Sequence, residues 1–169
     1  LKNLDLDRLK LFYITCHTKT PIGKEQRLLQ DSINYVPLYH RANEDIKMIG
    51  KYERVLKYDW CYIGAPYRRD LIPKNKKYTN YLLSTFNPKR YISSNERKNI
   101  YLSSIVHLAY QGERNIKDGH VSQRVFEGLC YGCIVLSNSI VACIETNNIV
   151  EYVRTLDDVE KKIEYYKNN

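Results

Sequence analysis

The run from Gly119 to Ser139, GHVSQRVFEGLCYGCIVLSNS, holds the residue types and spacings in this chain best suited to chemistry. A polar, glycine-containing loop leads to Ser122, whose hydroxyl suits a helix N-cap. The spacing predicts a short helix over Ser122–Tyr131, a turn at Gly132 and a buried strand over Ile134–Leu136. A helix start presents unpaired N–H groups and a partial positive charge, which together attract phosphate. Glu127 stands five residues beyond Ser122. At about 1.5 Å of rise per residue it lies roughly 7–8 Å along the axis. That is about the separation between the diphosphate and the ribose hydroxyls of a nucleotide, so one helix would hold both ends of a nucleoside diphosphate.

The loop before this helix, Tyr110 to His120, is long, polar and interrupted by Gly112 and Gly119. Loops of that length at a strand end are often functional. Arg114 and Lys117 are candidates to neutralise a diphosphate, and Gly119 permits close approach of backbone to ligand. On the helix, Gln123 and Arg124 share a face with Glu127, while Val125, Phe126, Leu129 and Cys130 supply packing faces. Gly128 in the helix interior costs roughly 1 kcal/mol relative to Ala, which close approach of a neighbour or ligand would explain. A plainer reading has Glu127 pairing with Arg124 on an exposed helix, worth a few tenths of a kcal/mol. The sequence singles out no catalytic group; His120 and Asp118 are the candidates, and loop histidines are often simple surface residues. His107 falls within an apolar strand, as a core residue would.

Composition narrows the class. A chain of 169 residues with 43% hydrophobic and 27% charged residues suits a folded domain with a real core. No apolar stretch approaches membrane-spanning length. The chain opens at Leu1 without a signal-peptide pattern or initiator Met, as a segment of a longer protein would. The net charge of +8 is uneven: residues 1–98 carry 20 Lys and Arg against 10 Asp and Glu, and residues 99–169 carry 7 against 9. The basic excess is a solvated surface, or a face for nucleotide phosphates, an anionic acceptor or a membrane surface. Sixteen Tyr against three Phe suit half-buried surfaces and stacking sites. The five cysteines are odd in number and lie in or beside apolar segments, which points to reduced thiols and a cytoplasmic setting. Cys130 and Cys133 have CxxC spacing, yet they would fall at a helix end, the wrong pole for a lowered thiol pKa. A zinc site needs a second pair, so small buried residues are the better reading.

The elements that must position these groups alternate from Asp59 onward. Strands are expected at Trp60–Ile63, ending in the turn at Gly64, then at Ile105–Ala109, Ile134–Leu136 and Ile149–Val153, with a weaker one at Tyr91–Ser93. Tyr78, Tyr81, Leu82, Thr85 and Phe86 carry the spacing of an amphipathic helix, and Asn95 is placed to cap a helix to about Ser103. Thr155 and Asp158 form a capping-box pair before Leu156, Val159, Ile163 and Tyr166, one face of a last helix. In residues 1–58 a strand at Leu11–Thr15 and a helix from Asn43 to Lys57 are expected. Apolar strands alternating with helices predict a Rossmann-like three-layer α/β/α fold around a mainly parallel sheet. Ligands in such folds bind at the carboxyl ends of strands.

From about Trp60 to its end the chain resembles the C-terminal, nucleotide-sugar-binding domain of GT-B glycosyltransferases. The resemblance rests on Arg124-Val125-Phe126-Glu127-Gly128-Leu129-Cys130-Tyr131-Gly132-Cys133-Ile134-Val135-Leu136, the family's helix, small residues, glycine and apolar strand. It implies that Glu127 holds the nucleotide ribose. It further implies a diphosphate and donor site around Arg114, Lys117, Gly119, His120, Val121, Ser122 and Arg124, with Gly64, Arg68 and Arg69 near the cleft. Residues 1–58 would be a linker or the remnant of a preceding domain, packed on a nucleotide-sugar-binding domain of residues 59–169. A nucleotide diphosphate sugar is then the donor substrate, a saccharide or glycan the acceptor, and an upstream acceptor-binding domain a partner. No resident cofactor is required, and no DxD-type metal cluster stands in the sequence. Retaining members often carry a second Glu eight positions before the ribose Glu; Gly119 occupies that place here. The alternatives are a basic, Tyr-rich module that binds nucleic acid, for which no recognised motif is present, and a non-catalytic interaction domain.

Overall fold

The computed structural model describes residues 52–64, 68–84, 92–117 and 119–169. Within them five strands form one sheet: β1 (Tyr58–Gly64), β2 (Asn80–Ser84), β3 (Ser104–Leu108), β4 (Ile134–Ser137) and β5 (Glu151–Tyr152). Every pairing is parallel, and the order is β2-β1-β3-β4-β5. Five helices accompany the strands: α1 (Ser94–Leu102), α2 (Glu113–Lys117), α3 (Gln123–Cys130), α4 (Ile140–Glu145) and α5 (Leu156–Asn168). This is the Rossmann-like three-layer arrangement that the alternating pattern predicts.

Strand periodicity sorts the core into two halves. Cys61 and Ile63 of β1 face one side, packed with Tyr101 of α1, Val125 of α3 and Ala142 of α4. Trp60 and Tyr62 face the other, against Leu71, Tyr78 and the α5 residues Val159 and Ile163. A strand buried on both faces reads as a continuous apolar run, which is why β1, β3 and β4 are legible in the sequence. From β1 the chain passes to β2 on one flank, whereas from β3 it passes to β4 on the other. The crevice between the carboxyl ends of β1 and β3 is therefore the topological switch point, where ligands bind in open α/β sheets.

Caps fix the helix starts. Ser122 Oγ accepts the Arg124 amide at 3.4 Å, and Thr155 and Asp158 form the expected reciprocal capping box on α5. Helix α1 is capped by Ser93, two residues earlier than the Asn95 expected. The larger correction concerns Tyr78 to Phe86. The helix expected there is replaced by β2, hydrogen-bonded along the free edge of β1, and Phe86 lies outside the described residues. Edge pairing outweighs the helical spacing, and Leu82 is left half exposed. Asp59 anchors the junction: its carboxylate accepts the Thr79 amide at 2.8 Å and Lys167 Nζ at 3.0 Å.

The strand expected over Ile149–Val153 is confined to Glu151–Tyr152, α4 was not expected, and α2 forms inside the loop after β3. Of the helix expected from Asn43 to Lys57, residues 52–57 are neither helix nor strand; the rest lies outside the described residues, as does Leu11–Thr15. Residues 92 and 93 are likewise not strand. Arg54 nevertheless ties this lead-in to the domain, donating to the carbonyls of Gly132 and Ser104. No helix among the described residues is long and apolar enough to cross a membrane.

Helix α3 lies unusually close to the sheet. A Cβ on Gly128 would stand 2.8 Å from His107 Cδ2 and 2.9 Å from Val135 Cγ2. The cost of a glycine in the helix interior thus answers to a neighbour, the sheet itself. Helix propensity alone predicts that Gly128→Ala gains about 1 kcal/mol. The packing predicts the opposite sign, a loss of about 1–3 kcal/mol from overpacking. Urea unfolding midpoints of the two proteins decide between them.

Candidate functional site

The start of α3 opens onto a cleft of about 320 Å³ at the switch point. Ile63 and Gly64, at the carboxyl end of β1, line it, and Arg97 of α1 contributes from another helix. His120, Ser122, Gln123, Arg124 and Glu127 complete it. The volume falls at the low end of the range for small-molecule sites, about 300–1,000 Å³. A buried side-chain amide pins the adjacent strand ends together: Asn138 accepts the Gln111 amide at 2.8 Å and donates to the Gln111 carbonyl at 3.0 Å.

Glu127 is only 5% exposed, so the reading in which it decorates a solvated helix face fails. It does not pair with Arg124. Its Oε1 accepts from Gln123 Nε2 at 2.9 Å, and its Oε2 accepts from the Tyr101 hydroxyl at 3.3 Å and lies 3.6 Å from Arg97 Nε. An ionised carboxylate offers about four acceptor sites, so capacity remains for a ligand hydroxyl. Tyr101 is itself held by an edge-on contact with His107, at 4.8 Å between ring centres, and by stacking on Tyr131. Burial, and then the Glu127 charge, hold the Tyr101 hydroxyl well above its ordinary pKa, so it stays a donor.

Arg124 turns to the strand. Its Nη1 donates to the Ile63 carbonyl at 2.9 Å, and the guanidinium lies where a side chain on residue 64 would project. Gly64 also has φ of +154°, a conformation few other residues adopt. The glycine that ends β1 is therefore the seat of a charged group that lines the cleft. Arg97, Arg124 and one carboxylate among its lining residues leave the cleft net positive and suited to an anion.

The other residues singled out by sequence are placed variously. Val121 is buried in the core and contributes no side chain to the cleft. Gly119 takes a left-handed φ of 65° and donates its amide to Ile116. Arg114 and Lys117 sit exposed on α2 and do not line the cleft. Neither do Arg68, ion-paired with Asp70 at 2.7 Å, and Arg69 beside it. Asp118 lies outside the described residues. Among the described residues no group of His, Cys, Asp and Glu is arranged to hold a metal ion. Cys130 ends α3 and Cys133 leads into β4, where its Sγ meets the Tyr101 carbonyl at 3.2 Å; neither is in a disulfide.

Sequence reasoning missed Arg97 and Tyr101, which reach Glu127 from another helix. Only the position of α1 beside α3 brings them there, and no spacing within the chain signals it. Compared with family models, curated proteins and solved structures, the chain gives no match.

His107, beneath α3, is fully buried; its Nδ1 lies 3.6 Å from Cys61 Sγ, and its Nε2 has no partner among the described residues. Burial, and secondarily the Arg124 charge, lower its pKa from 6.5 to about 3. Between those values the unfolded chain binds a proton that the folded one does not, so stability falls as pH drops from 6.5 towards 3. His107→Gln, which cannot titrate, should flatten that part of the profile. Unfolding midpoints of both proteins at pH 7, 5.5 and 4 measure the difference in slope.

Proposed function

We propose that this domain binds the nucleotide diphosphate part of a sugar donor and serves a glycosyltransferase of the GT-B kind. One observation carries the reading: Glu127 is almost wholly buried and still lines the cleft that opens at the start of its own helix. A carboxylate withdrawn from water but reachable by a ligand is suited to accept from paired hydroxyls, as a ribose presents them. The helix start one and a half turns away favours the diphosphate, through its amides and its partial charge. Arg124, in the first turn of the helix, adds positive charge on that side, and Arg97 adds it beside Glu127.

Sugar transfer breaks the bond from the anomeric carbon to the diphosphate, and negative charge grows on the departing oxygen. Fixed positive groups around that oxygen lower the barrier, because they need not reorient as the charge develops. In this reading Ser122 and the first amides of α3 receive the diphosphate, Arg124 neutralises it, and Glu127 fixes the nucleoside. His120, which lines the cleft, is the candidate to exchange a proton with donor or acceptor. The acceptor site would belong to a preceding domain.

Nucleoside diphosphates should raise the melting temperature of the domain, and Glu127→Ala should weaken binding about tenfold or more, the loss expected for hydrogen bonds to a charged group. Glu127→Gln, which keeps the shape and the contact to Gln123, should weaken it less. Thermal shift and calorimetry with the uridine, guanosine, adenosine and cytidine diphosphates test this. No shift with any of them at millimolar concentration would sink the reading.

A further inference from the structure

We infer that Arg97 selects the base of the bound nucleotide, favouring guanine or uracil, which present an oxo group where adenine and cytosine carry an amine. The inference rests on the proposed grip of ribose by Glu127. The two oxygens of Glu127 divide the cleft. Oε1 faces Gln123, one turn nearer the helix start and so on the diphosphate side. Oε2 faces Tyr101 and Arg97. A nucleotide laid with its diphosphate at Ser122 and its ribose at Glu127 therefore carries its base towards the Oε2 side.

Of the two groups there, only Arg97 is reachable: Tyr101 is fully buried, whereas the Arg97 side chain is 34% exposed and lines the cleft. Arg97 meets Glu127 through Nε at 3.6 Å, a loose contact, and its partly exposed side chain lines the cleft. A guanidinium has five donors and no acceptor. Presented to a base edge, it pairs with carbonyl oxygen and ring nitrogen acceptors, most fully with the O6 and N7 of guanine, and it opposes an exocyclic amine. Its charge also offsets that of Glu127, so the same side chain stands beside the carboxylate that takes the ribose and reads the group attached to that ribose.

Dissociation constants for the guanosine, adenosine, uridine and cytidine diphosphates, measured by calorimetry, test the inference. The unaltered domain should prefer guanosine to adenosine, and uridine to cytidine, by about tenfold each, as expected for one well-made side-chain contact to a base. Arg97→Gln supplies a donor and an acceptor together, so both ratios should fall towards one. Arg97→Lys keeps the charge beside Glu127 but lacks the planar fork, and should lower the guanosine preference while leaving the melting temperature of the free domain unchanged. Equal binding of all four by the unaltered domain, or ratios unchanged in both variants, overturns the role of Arg97 and leaves the donor reading standing, provided Glu127→Ala weakens all four alike. If none of the four binds, both fall together.

Discussion

Helix α3 rests on the sheet at a distance that only a residue without a side chain permits, and the geometry of the cleft follows from that contact. With Gly128 against His107 and Val135, the helix axis is pinned over β3 and β4. Its start then reaches the carboxyl end of β1, close enough for Arg124 to bond the Ile63 carbonyl across the space left by Gly64. Two glycines far apart in sequence thus act on one helix, one drawing its middle inward and the other leaving room for its first-turn arginine. Larger residues at either place would lift the helix, widen the cleft and move Glu127 away from Tyr101.

The arrangement also explains how a nearly buried carboxylate is tolerated. Withdrawing a charge from water costs several kcal/mol unless hydrogen bonds and opposite charge offset it. Glu127 receives an amide, a phenol and a guanidinium from two helices, and Tyr101 is kept a donor by its own burial. The histidine below could in principle compete as a cation, yet its burial holds it neutral, with a pKa near 3. Neutral packing under the helix and positive charge over it leave one direction in which an anion is attracted. That polarity is set by burial, and net charge alone would not reveal it.

How much of this was written in the sequence depends on where each interaction is made. The strands β1, β3 and β4 were legible because burial on both faces forces continuous apolar runs, and α3 and α5 because Ser122, Thr155 and Asp158 cap them locally. The place of Glu127 relative to the helix start was legible for the same reason, since both lie on one element. Tyr78 to Phe86 misled because an edge strand needs apolar residues at few positions and its backbone partner, β1, lies many residues upstream. Helix α4 is six residues long, too short for periodicity to register. Arg97 and Tyr101 belong to a different helix, and their meeting with Glu127 is a tertiary fact with no local trace.

The departure at residue 119 has the same kind of cause. In the glycosyltransferases that the sequence resembles, retaining members often carry a second Glu eight positions before the ribose Glu, whereas this chain has glycine there. The residue adopts φ of 65° while its amide closes a turn onto Ile116, which redirects the loop from α2 into the cap of α3. A side chain in that conformation costs roughly 1–2 kcal/mol. The backbone path that delivers Ser122 to the cleft is therefore in direct conflict with a carboxylate at this position, and the geometry of the helix start has prevailed. In the proposed reading, a group that acts on the sugar comes from elsewhere: from His120, next in the chain and part of the cleft lining, or from a preceding domain.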